Sequence, residues 1–102
     1  MALLVGPGPA IAKPLLAGGL HALCSARENR EWSIGCEAYI EGVADGLSRA
    51  GAACPAAEAH KAVRSAFLMI PREQFGQRLA SDILAPLIIQ LHPCGKSRAS
   101  TT

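Results

Sequence analysis

Apolar positions along this chain recur at helical spacing. Cys36, Tyr39, Ile40, Val43 and Leu47 fall at i, i+3, i+4, i+7 and i+11, one face of a 3.6-residue period. Glu37, Glu41 and Asp45 sit four apart on another face, a solvated stripe that could also dock a basic partner. Gly42 and Gly46 are likewise four apart, which suggests a groove where a neighbouring helix approaches closely. The pattern predicts a central helix from about Glu31 to Arg49, capped by Asn29 and stopped at Gly51. A shorter stripe of Leu16, Leu20 and Leu23, opened by Pro14, predicts a helix over 14–25. Ala59, Val63, Phe67 and Ile70 predict a third helix over about 57–69, with His60, Lys61 and Arg64 outside and Pro71 ending it. Leu79, Ile83, Leu87 and Leu91 predict a fourth, starting within Arg72–Gly76, running through a kink at Pro86 and ending at His92-Pro93.

Short connections between four helices imply an all-α, up-down four-helix bundle. One domain fills the 102 residues, with its folded part at 14–94 and a small, polar tail at 95–102. Residues 1–13 read either as the remnant of a signal peptide, ending in the triplet Ala10-Ile-Ala12, or as a disordered arm. No apolar run is long enough for a membrane span. The net charge is +2 and the ten basic residues are scattered, so a nucleic-acid partner is not expected.

Four cysteines, Cys24, Cys36, Cys54 and Cys94, change the picture. An even number in a short chain without a C-x-x-C pair reads as two disulfides rather than a zinc site, and disulfides persist outside the cytosol. The bundle settles their pairing. Cys36 and Cys54 lie at opposite ends of the central helix, roughly 25 Å apart at 1.5 Å per residue. A disulfide needs Cα atoms within about 7 Å. Cys24, ending the first helix, sits near Cys36 at the start of the second, and Cys54 and Cys94 share the other end, so Cys24 pairs with Cys36 and Cys54 with Cys94.

Enzyme signatures are missing: there is no G-x-S-x-G, H-E-x-x-H, P-loop or G-x-G-x-x-G. His21 precedes Cys24 by three residues, but a cystine at Cys24 removes the nucleophile, so His21 reads as a half-buried helix histidine. His92-Pro93-Cys94 reads as a helix-ending turn. No metal or cofactor is expected. Trp32 either anchors an interface or staples the central helix to the first.

Cys36-x-x-Tyr39-Ile40-x-Gly42, followed by Cys54-Pro55, by Pro71 after an apolar helix, and by Pro93-Cys94, resembles the Tai/Rap immunity proteins of type VI secretion systems over about residues 15–94. The resemblance implies a periplasmic, homodimeric protein that binds and blocks a peptidoglycan amidase effector and has no catalysis of its own. It implies contact through exposed loops and helix ends. Here those are Ser25–Glu31 and Arg72–Gln77, with Arg27, Glu28, Arg30, Trp32, Arg72, Glu73 and Gln74 as candidate contact residues. The alternative is a cystine-stapled periplasmic bundle with a structural or acid-stress chaperone role.

Overall fold

Asn29 starts the longest helix by accepting a hydrogen bond at Oδ1 from the Trp32 backbone N–H, 3.1 Å away. The structure is a computed structural model and describes residues 14–95. Residues 1–13, read above as a signal remnant or arm, and residues 96–102 of the tail lie outside the described part. Among the described residues the chain forms α1 (Ala17–Ser25), α2 (Arg30–Arg49), α3 (Ala59–Leu68) and α4 (Ala80–Leu91), with a 3-10 turn at Arg72–Gln74.

The apolar stripes meet in one core. Leu20 of α1, Cys36 and Ile40 of α2, Val63 and Phe67 of α3, and Leu84 and Ile88 of α4 are fully buried. Phe75, from the α3–α4 connection, stacks on Phe67 with ring centroids 5.3 Å apart. Gly51, at φ +75°, ends the turn after α2 in the left-handed region where glycine is unstrained. Both cystines are those the sequence predicts: Cys24–Cys36, with Cα atoms 5.0 Å apart, and Cys54–Cys94, with Cα atoms 4.9 Å apart.

Three features differ from the sequence reading. The fourth helix begins at Ala80, not within 72–76. Leu79 is extended and pairs with Leu16 in an isolated antiparallel bridge. Ala17 N donates to Arg78 O at 2.9 Å and Ala80 N to Leu15 O at 2.8 Å, so α1 and α4 begin side by side. That pairing, and the left-handed Gly76 at φ +55°, stop helix from forming earlier. The inward face of α4 is rotated accordingly: Ala80, Ile83, Leu84 and Ile88 are buried and Leu91 is exposed. The helix continues through Pro86 to Leu91.

Second, Gly42 and Gly46 do not receive a neighbouring helix within the chain. Both are exposed, and a Cβ at either position would meet nothing within 4 Å. Third, Arg64 and His60 do not face solvent. Arg64 is 6% exposed, and the His60 side chain is 13% exposed. They point at the α2 carboxylates, and two of the three members of that stripe are therefore engaged internally.

A candidate protein-binding end of the bundle

The contacts between α2 and α3 fix the register of the pair. Arg64 Nη1 lies 3.2 Å from Glu37 Oε2, and His60 Nδ1 lies 3.1 Å from Glu41 Oε2. His60 Nε2 is 3.8 Å from Glu37 Oε1. As α2 advances from residue 37 to 41, α3 retreats from 64 to 60. The helices are antiparallel, and the start of α2 lies level with the end of α3.

That register brings together what the sequence set far apart. Arg27, Glu28, Arg30 and Trp32, around the start of α2, lie at the same end as Arg72, Glu73 and Gln74 in the turn after α3. All seven are exposed. No hydrogen bond or ion pair among the described residues joins the two groups directly. The same end carries the three most exposed large apolar side chains: Trp32 at 47%, Ile34 at 56% and Met69 at 81%. Exposed apolar side chains with a polar surround are the chemistry of a protein-binding surface. Of the two readings of Trp32, its exposure suits the anchor. Ile34 and Met69 escaped the sequence reading, although each lies off its helix's inward stripe.

Arg64 stiffens the scaffold beneath this end. Its Nε and Nη2 donate to the Cys24 carbonyl oxygen at 3.2 and 2.7 Å, and Nη1 donates to Ser33 Oγ at 2.9 Å. One guanidinium thus ties the last turn of α1 and the first turns of α2 to α3, beside the Cys24–Cys36 cystine. Charge-assisted, multiply bonded contacts of this kind are the strong ones. One turn earlier on α1, His21 lies 6.1 Å from Phe67 and 5.8 Å from Phe75 between ring centroids. Ser25 Oγ donates to the His21 carbonyl oxygen at 2.7 Å. Burial lowers the His21 pKa below its ordinary 6.5, and the nearby positive charge of Arg72 lowers it further. This histidine is half-buried, as its sequence context suggests. The Cys24 sulfur beside it is spent in a disulfide, so the two cannot act as a nucleophilic pair.

Toward the other end of the α2–α3 pair lies an open groove of about 280 Å³. Ala44 and Pro55 contribute to its lining, Glu41, Asp45 and Glu58 bring carboxylates, and His60 reaches it from α3. Asp45 pairs with Arg49 at 3.2 Å and Glu58 with Lys61 at 3.2 Å, both well exposed. Among the described residues no group of three or more His, Cys, Asp or Glu side chains is arranged to hold a metal ion. No described helix is long and apolar enough to cross a membrane.

The class defined by these features is a small all-α bundle, joined by two disulfides, with its most exposed large apolar side chains around one end. Comparison with protein families, with curated proteins and with solved structures finds no match to this chain.

Proposed function

We propose that this chain is a non-catalytic binding protein of the periplasm that inhibits a peptidoglycan amidase delivered by type VI secretion, and that it works as a homodimer. The observation that carries the binding role is the exposure of Trp32, Ile34 and Met69 around the end held by Arg64 and Cys24–Cys36. A rigid surface loses little ordering entropy on association, so exposed apolar anchors on a stapled scaffold favour tight binding. Two intrachain disulfides fit a compartment where disulfides persist. The amidase as target rests on the resemblance carried by Cys36, Tyr39, Ile40, Gly42, Cys54, Pro55, Pro71, Pro93 and Cys94.

The test pairs the oxidised protein with a type VI secretion peptidoglycan amidase and measures both complex formation and peptidoglycan hydrolysis. Stoichiometric inhibition is expected. Trp32→Ala and Met69→Asp should each weaken binding tenfold or more with an unchanged melting temperature. Absence of both complex and inhibition rejects the amidase. Inhibition untouched by either substitution moves the contact surface elsewhere.

A further inference from the structure

The two cystines differ in what surrounds them. Cys24 and Cys36 are both 0% exposed, inside the core and beside the Arg64 hydrogen bonds. Cys54 is exposed and Cys94 is half-exposed. Cys54 lies in the irregular segment between α2 and α3, whose one backbone hydrogen bond to the end of α4 among the described residues runs from Cys54 N to His92 O, at 2.8 Å. At the same joint His92 Nε2 is buried with no hydrogen-bond partner among the described residues, so opening the joint exposes an unsatisfied group to water and breaks one backbone hydrogen bond. Thiol–disulfide exchange requires a thiolate to reach a sulfur, and access therefore decides which bond exchanges first.

We propose that Cys54–Cys94 is a thiol–disulfide exchange site for an external dithiol reductant, one that opens at Cys54 while Cys24–Cys36 stays closed. One thiolate of the reductant attacks Cys54 Sγ, forming a mixed disulfide and expelling Cys94 as a thiolate. The second thiol of the reductant, as its thiolate, displaces Cys54. Two electrons pass to the cystine, the reductant leaves as its own disulfide, and the two protein thiolates take up protons according to pH. The segment released by this step leads through Pro55 to Glu58, which forms one wall of the acidic groove. The end bearing Trp32 and Met69 keeps its cystine and its Arg64 ties. Exchange thus alters one end of the molecule and spares the other. This does not depend on the partner proposed above.

The experiment titrates the native protein with dithiothreitol, traps thiols with N-ethylmaleimide and counts labels by intact mass. A doubly labelled species should form at least tenfold faster than the fourfold one, with both labels mapping to Cys54 and Cys94. In that species, amide hydrogen exchange should rise over 50–58 and the last turn of α4, and remain unchanged in α1 and the first half of α2. Labels on Cys24 and Cys36 in the doubly labelled species overturn the proposal. So does direct passage to the fourfold species, or a uniform rise in exchange. The Cys54→Ser/Cys94→Ser double variant should keep native helicity, and failure to fold would make the outer cystine purely structural.

Discussion

Replacing Arg64 by alanine tests the scaffold most directly. The residue is 6% exposed and makes four hydrogen bonds: two to the Cys24 carbonyl, one to Ser33 and one to Glu37. Truncation strands a buried carbonyl, at about 1–3 kcal/mol, and loses a side-chain bond worth about 1 kcal/mol. It also removes a buried aliphatic stem, at about 0.8 kcal/mol for each methylene. The Glu37 side chain is 40% exposed, so its ion pair is screened and adds under about 1 kcal/mol. Against these losses stands the relief of no longer desolvating a guanidinium. The net expectation is about 3–4 kcal/mol. At about 4–8 °C per kcal/mol for a domain of this size, the melting temperature should fall by about 12–30 °C. Thermal melts followed by far-UV circular dichroism read this directly. Arg64→Met, which keeps the stem and loses only the polar contacts, should lose about half as much. An alanine variant melting within about 3 °C of the parent, or a methionine variant worse than alanine, would refute the role given to this side chain.

Three further outcomes follow from the same structure. Removing Cys24–Cys36 as a double alanine variant should cost about 3 kcal/mol from loop closure plus the packing of two buried sulfurs, and removing Cys54–Cys94 about 4 kcal/mol from its longer loop, both read from urea midpoints. Because the folded pKa of His21 lies below 6.5, the unfolded chain binds the extra proton first. The His21 contribution to stability is therefore present above the unfolded value and is lost as pH falls through it, levelling off below the folded value. Urea midpoints of the parent and His21→Gln should draw together on acidification, and a gap that widens instead would contradict the sign. Gly42→Ala, on an exposed helical site with open space around it, should stabilise by about 1 kcal/mol, and destabilisation in a thermal melt would show that something does pack there.

Much of the bundle was legible because helical period, cysteine spacing and helix length constrain one another. The reach of the central helix excludes Cys36–Cys54, and the up-down order of the helices selects the observed pairing from the two that remain. Gly42 was legible too, and was misread: at about 100° per residue it lies some 200° from inward-facing Ile40. Charge alone favours solvent for Arg64 and His60, so the helical stripe of α3 by itself sets them outside. Their true signal lies in a match between two helices, Glu37 and Glu41 four apart on one, His60 and Arg64 four apart on the other. That match is visible only once the helices are set antiparallel in register. The start of the last helix was not legible, because a partner far away in the chain, Leu16, holds Leu79 extended. The candidate contact residues rest on the family resemblance, and that they share one end is visible only through the same register.

The Leu16–Leu79 bridge has a kinetic corollary. It joins the segment before the first helix to the segment before the last, and each helix beside it takes its first-turn hydrogen bond from the other's flank. Such long-range closure is entropically slow and comes late. A polypeptide truncated before residue 79 would leave one flank of its first helix uncovered, still held to the rest by Cys24–Cys36 and by the Arg64 bonds to Cys24. Completion of the last helix is thus the step that closes the remaining flank of the first.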